Sequence, residues 1–385
     1  MLKKHGQKQS LNHNMIIVLT QCFPPRIGGI ENLISNLVLH LSEKEKIIVF
    51  ADQQHVFNDT IYDQSVKDKF HVRRISGLKF FRRRKKIREL EPILMSNEIK
   101  CVIGDTWKSF ELSIDLINKQ NIPTICLAHG NEIIYKDNKH FLRIKEILNK
   151  VSAIVCNSDY TKKLINNYDL NKPILKTIYP GACNYLEIKE VPVPGVDGEP
   201  ILLTLARLEK RKGHKEIIYS ISKLKNDFPN IKYIIAGSGR ELKNLKKLVS
   251  DLNLNNTVIF VDNVNDAQKK YLFKKTKLMI MPTLDETSNR SIEGFGISYL
   301  EAAFFRIPSI ASNIGGTPEA VINNKTGIII DDIKLLHSSI KQLLIDEQKI
   351  TNLGMNAEKR ANSSFLWEKI VKQYISLIYE LHQSR

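Results

Sequence analysis

The sequence predicts an α/β protein of two doubly wound parallel-sheet domains. Apolar runs of strand length recur along the chain, separated by segments with helical apolar spacing. The alternation stops at a stretch rich in proline and glycine (Pro192, Pro194, Gly195, Gly198 and Pro200) and then resumes. With 385 residues, 42% of them hydrophobic, the chain can fill two cores.

In the first half, 15–20, 46–51, 101–104, 124–128 and 153–156 read as buried parallel strands, with helices such as 31–42 and 160–167 between them. In the second half the strands are 201–206, 233–236, 258–261, 278–281 and 309–311. A last segment, 366–382, carries apolar residues at helical spacing and reads as a closing helix. The expected division is a first domain over 1–185, a linker over 186–199, a second domain over 200–365, and a helix over 366–385 that returns to the first domain. Ligands of such folds bind beyond the carboxyl ends of the strands, so the cleft between the domains is the expected site.

Composition excludes several classes. No window approaches 18 consecutive apolar residues, which argues against a membrane-spanning helix. Residues 1–14 are basic and polar with no apolar run behind them, a poor signal peptide. Five cysteines without a C-x-x-C pair point to reduced thiols and a cytoplasmic protein, and argue against zinc.

The formal net charge is +17, and its densest source is 79–88, KFFRRRKKIR, in which seven of ten residues are basic. Lys79, Arg82, Arg83, Arg84, Lys85 and Lys86 alternate with Phe80 and Phe81, and Phe80, Ile87, Leu90 and Leu94 fall near one side of a helix. A basic amphipathic helix with aromatics suits an anionic membrane surface. A solvated helix face is the plainer reading. Nucleic acid is a weaker one, since no nucleic-acid fold signature accompanies the segment.

Four segments carry possible chemistry. In 23–31, FPPRIGGIE, Gly28 and Gly29 precede a helix start where backbone can approach an anion, or simply turn the chain. In 207–213, RLEKRKG, Arg207 and Lys212 follow a strand and could neutralise a diphosphate, or be a solvated loop. In 236–240, AGSGR, Gly237 begins a strand-to-helix turn that fits a nucleotide or a plain turn, with no full G-x-G-x-x-G and no P-loop. In 293–302, EGFGISYLEA, Glu293 and Glu301 stand eight apart, and Gly294, Phe295, Gly296 and Ile297 open an apolar helix between them. Free N–H groups at that helix start suit a phosphate, and the two carboxylates suit hydroxyls on either side of it, which is the layout of a nucleotide sugar.

In this order the segments resemble the family-four retaining glycosyltransferases of GT-B fold, from about residue 15 to 330. The E-x7-E element, followed by a proline-containing strand and the GG-x-PE turn at 315–319, carries most of the resemblance, with the AR-x4-KG and GSG elements beside it. The resemblance implies two Rossmann-like domains facing a cleft, the first binding the acceptor and the second a nucleotide sugar. It implies that Arg207 and Lys212 bind the donor diphosphate, Glu293 the transferred sugar and Glu301 the ribose. Gly28 and Gly29 would approach the diphosphate, and Gly237 and 294–297 would line the donor. His129, in Ala128-His129-Gly130, would lie at the active-site floor, with cleft-facing turns at Asn157-Ser158 and Pro180-Gly181. The catalytic set is then His129, Arg207, Lys212 and Glu293.

The expected partners are a nucleoside diphosphate-sugar, a glycan or glycolipid acceptor such as an envelope intermediate, and an anionic membrane surface, with no nucleic acid. No cofactor is expected, and no metal, since no D-x-D occurs and cations with helix dipoles would do a metal's work. Front-side attack assisted by the leaving phosphate is the expected route to retention. The competing readings are a non-catalytic, membrane-associated nucleotide-sugar-binding scaffold and a GT-B-fold epimerase.

Overall fold

A computed structural model of the chain describes residues 15–96 and 98–383. The basic start of the chain, 1–14, the last two residues of the expected closing helix, and the side chains of Lys79 and Phe80 lie outside the described residues.

The first sheet is built from β1 (Met15–Leu19), β2 (Lys46–Asp52), β3 (His71–Ile75), β4 (Ile99–Gly104), β5 (Thr124–Ala128), β6 (Ala153–Cys156) and β7 (Ile174–Thr177). Its strands run in the order β3-β2-β1-β4-β5-β6-β7, and every pair is parallel. The second sheet holds β8 (Ile201–Leu205), β9 (Lys232–Ala236), β10 (Val258–Val261), β11 (Leu278–Met281), β12 (Ser309–Ser312) and β13 (Gly327–Ile330). Its order is β10-β9-β8-β11-β12-β13, again all parallel. Each sheet reverses its order beside its first strand, so each has a switch point where a ligand can enter.

Central strands are apolar on both faces because helices cover both. Ile16 and Val18 of β1 pack towards the helix Gly29–Leu41, while Ile17 and Leu19 pack towards Leu90, Ile93 and Leu94 of the helix Lys79–Ser96. The second sheet is covered likewise by two clusters, one on each face. Tyr185, Val193 and Val196 from the connector between the sheets are buried in one of them.

At its far end the chain crosses back. Ala182 N–H donates to the Phe365 carbonyl at 2.9 Å, and Ala182 pairs with Leu366 as an isolated parallel bridge. The helix Trp367–Gln383 then sinks Trp367, Ile370, Val371, Tyr374, Leu377, Ile378 and Leu381 into the core built on β1 and Gly29–Leu41.

The helix Lys79–Ser96 corrects the reading of 79–88 as one outward basic face. Lys86 is buried, and its ammonium donates to Asp52 Oδ1 and to the Thr20 carbonyl, both at 2.8 Å. Arg82 donates to the Gln53 carbonyl at 3.0 Å and sits 3.5 Å from Asp52, and Arg83 pairs with Glu111. The buried stripe of this helix therefore runs through Lys86, Leu90 and Leu94, and three of its bases hold the protein together. Phe81, Arg84, Lys85 and Arg88 remain on the exposed side.

Candidate functional site

The expected donor residues gather at the carboxyl ends of β8, β9 and β11. The turn after β8 carries Arg207 and leads through Lys210–Lys212 into the helix His214–Leu224. Gly213 joins the two with φ +71, and a Cβ there would lie 2.2 Å from the Pro282 carbonyl oxygen, so only glycine fits. That close approach sets the Lys212 loop against the strand end that leads towards Glu293.

Glu293 is buried. Its Oε2 accepts from Lys212 Nζ and from Arg211 Nη1, each at 2.5 Å. Burial alone would raise this carboxyl's pKa. Lys212 and Arg211 outweigh burial and pull it down to about 2, so the group is a carboxylate throughout the physiological range. The same burial draws the Lys212 ammonium below its ordinary value, and Glu293 opposes that shift. The result is a dry, fixed cluster of two cations on one anion, with net positive charge at the strand end.

Arg207 is placed differently from the expectation that it works beside Lys212. Its side chain is 56% exposed and pairs with Glu209 at 3.1 Å, and Arg211, which the sequence reading passed over, stands next to Lys212. Glu209 bridges the two arginines, holding Arg211 at 3.2 Å through its second oxygen. The signal for Arg211 was present as a base adjoining Lys212, but a run of four charges in EKRK gives no hint of which one turns inward.

Glu301 sits within the helix Ile297–Ala303 and is likewise buried. It receives the Tyr185 hydroxyl on Oε1 at 2.5 Å. Burial raises its pKa, with Lys269 and Tyr185 acting against that rise. Gly296, at φ +101, precedes the helix. The ring of Phe295, expected among the donor-lining residues, is buried and stacks on Tyr179 at 5.2 Å, beside Phe365. Ile297 packs against the cores of both halves. Gly237 adopts φ +139, and a Cβ on it would lie 2.2 Å from the Ala206 carbonyl oxygen, which locks the turns after β8 and β9 together.

The first domain closes the site from the other side. His129 follows β5, and its Nε2 lies 2.8 Å from the Asp105 carbonyl oxygen. Asp105 is buried and accepts from the Thr20 hydroxyl at 2.7 Å and the Ser109 hydroxyl at 2.5 Å, so the floor beneath His129 is held by β1 and β4. The His129 carbonyl oxygen faces Gly294 so closely that a Cβ on Gly294 would lie 2.1 Å from it. Asn157 donates to that same carbonyl at 3.3 Å, and Asn131 Oδ1 accepts from the Ile292 N–H at 2.6 Å. Gly28 and Gly29 start the helix Gly29–Leu41, and a Cβ on Gly28 would collide with the Glu31 carboxylate at 2.2 Å. Arg26 pairs with that carboxylate at 2.8 Å. The structure thus brings His129, Asn157, Glu293 and Gly294 to one place across the two halves.

Two family profiles match the chain in tandem: "Glycosyltransferase Family 4" over residues 27–182 and "Glycosyl transferases group 1" over 188–360. The chain is a family-four glycosyltransferase. The glycosyltransferase is 23% identical over 379 residues to the GDP-mannose-dependent alpha-(1-6)-phosphatidylinositol monomannoside mannosyltransferase of Mycolicibacterium smegmatis, covering 91% of this chain and 95% of that one. It is 24% identical over 367 residues to the GDP-mannose-dependent monoacylated alpha-(1-6)-phosphatidylinositol monomannoside mannosyltransferase of Corynebacterium glutamicum, covering 91% and 94%. Among solved structures, Anabaena HepE in complex with UDP and glucose superposes with a TM-score of 0.79 at 19% identity, covering 96% of this chain and 100% of that one. Sucrose-phosphate synthase from Thermosynechococcus elongatus gives 0.79 at 18%, covering 97% and 100%. The last two establish the GT-B fold of the glycosyltransferase. Among its described residues no helix is long and apolar enough to cross a membrane.

Proposed function

We propose that this glycosyltransferase moves a hexose, with retention, from a nucleoside diphosphate-sugar to a hydroxyl of a glycolipid or envelope-glycan intermediate, without a metal, at an anionic membrane surface. The observation that carries the reading is the buried Glu293–Arg211–Lys212 cluster facing His129 across the cleft.

Breaking the bond between the sugar and the diphosphate places negative charge on the leaving oxygen. Lys212, fixed by Glu293 and shielded from water, stabilises that charge without having to reorganise, which is where an ion contributes most. Arg207 is half exposed at the cleft edge and is free to swing onto the diphosphate once its partner Glu209 is shared with Arg211 alone. Glu293 keeps its second oxygen for the hydroxyls of the transferred sugar. The acceptor hydroxyl attacks from the side the diphosphate leaves, and the departing phosphate oxygen takes its proton. No protein nucleophile is then needed, and His129 orients the sugar at the floor.

The membrane part rests on the surface of the first domain. Ile27, Phe57, Leu78, Phe81 and Leu112 are exposed, and each lies in a turn or helix leaving the carboxyl ends of β1 to β4. Arg84 and Arg88 stand on the exposed side of the helix Lys79–Ser96, whose first turn supplies Phe81 to this rim. Apolar side chains among bases suit an interface of anionic lipid better than a solvated face. The names of the two mannosyltransferase relatives specify phosphatidylinositol mannoside acceptors, which supports a lipid-linked substrate here.

The test is a thermal-shift panel of GDP, UDP and ADP with GDP-mannose and UDP-glucose, followed by turnover of the stabilising donor with and without EDTA. One base should stabilise the protein; a ligand at 100 times its Kd adds about 2.7 kcal/mol. EDTA should leave turnover unchanged. Failure of every nucleotide to shift the melting curve would overturn the proposal.

A further inference from the structure

Glu301 is held by two residues that lie far from it in sequence. Tyr185 comes from the connector between the sheets, and Lys269 from the helix Asp266–Lys275. The Tyr185 ring is buried, stacked on Phe273 at 6.3 Å, and its hydroxyl donates to Glu301 Oε1 at 2.5 Å. Lys269 Nζ donates to the same hydroxyl at 3.0 Å, lies 5.0 Å from the ring centroid, and pairs with Asp266 at 2.9 Å. An ammonium can only donate, so the phenol must accept from Lys269 and spend its single proton on Glu301. The direction of this relay is fixed. It ties down one oxygen of the carboxylate and with it the carboxylate plane. Among the described residues, Oε2 receives no hydrogen bond.

We propose that Tyr185, backed by Lys269, is a positioning residue that holds Glu301 so that Oε2 accepts both hydroxyls of the donor's ribose, making the site selective for ribonucleotides over 2′-deoxyribonucleotides. The inference rests on the donor site proposed above. Two adjacent hydroxyls can share one carboxylate oxygen as a three-centre acceptor only if that oxygen does not swing away. A glutamate side chain left to itself has several rotamers, and burial favours its neutral form, which accepts poorly. The phenol fixes the rotamer, and Lys269 stabilises the charge. Burial lowers the Lys269 pKa, but the carboxylates of Glu301 and Asp266 more than reverse this and keep it cationic.

The experiment is calorimetric titration of GDP, UDP and ADP, each beside its 2′-deoxy analogue, into wild type, Tyr185→Phe and Lys269→Met, with kcat and KM for the preferred donor. Tyr185→Phe keeps the ring in its stack, and a melting curve for each variant verifies that it is folded. Wild type should prefer the ribonucleotide by about tenfold, the size of one hydrogen bond to a charged group. Tyr185→Phe should bring that ratio to within about threefold and raise KM about tenfold, with kcat changed less than threefold. Lys269→Met should move the ratio in the same direction, and Lys269→Arg should restore it. An unchanged ratio in Tyr185→Phe would overturn the inference. So would tighter ribonucleotide binding, because the phenol would then be competing with the ribose. A wild-type protein that binds none of GDP, UDP and ADP would overturn the donor-site reading itself and this inference with it.

Discussion

Three of the four bases in residues 207–212 divide between the interior and solvent. Lys212 and Arg211 are buried on Glu293, while Arg207 is largely in solvent. Removing Arg211 strips a buried carboxylate of one of its two partners, and Arg211→Ala should lower stability by about 3 kcal/mol in chemical denaturation. Arg207→Ala should leave the denaturation midpoint unchanged and depress kcat. Lys212→Ala should depress kcat about 100-fold in a folded protein, the size expected for one preorganised donor to developing charge. The Lys212 result is read from kcat at saturating donor together with a melting curve, and near-normal turnover would remove Lys212 from the mechanism. A second residue-scale expectation concerns His214, buried beside Tyr233 with its pKa lowered by burial to about 4. Its neutral form is favoured in the fold, so the unfolded chain binds the extra proton as pH falls from 6.5 towards 4. Stability should fall by about 2 kcal/mol between pH 7 and pH 5 from this group. His214→Phe should flatten that part of the profile. Glu293 acts in the next window: its folded value near 2 lies below the ordinary 4.5, so its contribution is present above 4.5 and fades as pH drops towards 2. Sequence made Lys212, Glu293 and Glu301 legible, since each belongs to a spaced motif. Arg211, Tyr185 and Lys269 had no motif, because their roles arise only when three separate segments fold together.

Among elements, the strands that sequence missed share one property. β3 (HVRRI), β7 (ILKT) and β13 (GIII) are edge strands, and β3 and β7 are the two edges of the first sheet. A strand with one neighbour has a solvated side, so Arg73 and Lys176 break the apolar run that marks a central strand, and Arg74 breaks it again as a base whose buried side chain pairs with Asp63. β13 is short and apolar but begins at Gly327, where a Cβ would meet the Ser309 carbonyl oxygen at 2.1 Å. The helix Lys79–Ser96 was legible as a helix and misread as a face. Lys86 stands four residues before Leu90 and eight before Leu94, on the stripe that the apolar pattern marks as internal, and Asp52 at the end of β2 is what makes a lysine tolerable there. This changes the test of membrane docking. Neutralising Arg82, Arg83 or Lys86 would break internal pairs, whereas Arg84→Glu with Arg88→Glu, or Phe81→Ser, changes side chains on the exposed side of the helix. Wild type should cosediment with vesicles rich in phosphatidylglycerol and not with duplex DNA. Each exposed-side variant should lose most of that binding, with a melting curve to verify that it is folded. Absence of vesicle binding by wild type would remove the membrane from the proposal.

At the scale of the molecule, the two halves are latched by side chains that bridge the cleft. Glu319, after β12, accepts from the backbone N–H groups of Asp159 and Tyr160 at 2.7 and 2.8 Å, at the start of the helix Asp159–Asn166 in the first half. A carboxylate at a helix N-terminus meets both free N–H groups and the positive end of the dipole. Arg360 donates to the Glu319 and Ala320 carbonyls and fixes this corner to the second half. Charge-assisted bonds of this kind are worth about 1.5–3 kcal/mol each, so Glu319→Ala should reduce the closed population about tenfold or more. Small-angle scattering should report a larger radius of gyration, and kcat should fall with donor affinity less affected. Gly294→Ala should act in the same direction by steric means, since its Cβ would strike the His129 carbonyl when the cleft closes. The two sheets and the linker between them were legible because alternation and the proline-rich break act over tens of residues. The latch was not, because GG-x-PE gives no sign that its glutamate reaches the other half.

The return of Trp367–Gln383 to the first half also dictates an order of assembly during synthesis. Residues 201–365 form one contiguous unit and can complete their sheet as soon as they leave the ribosome. The first half, although made earlier, keeps the groove beside Gly29–Leu41 uncovered until residues 367–383 have emerged. The first half is therefore the last to mature, and it waits with an apolar groove open while the whole second half is made.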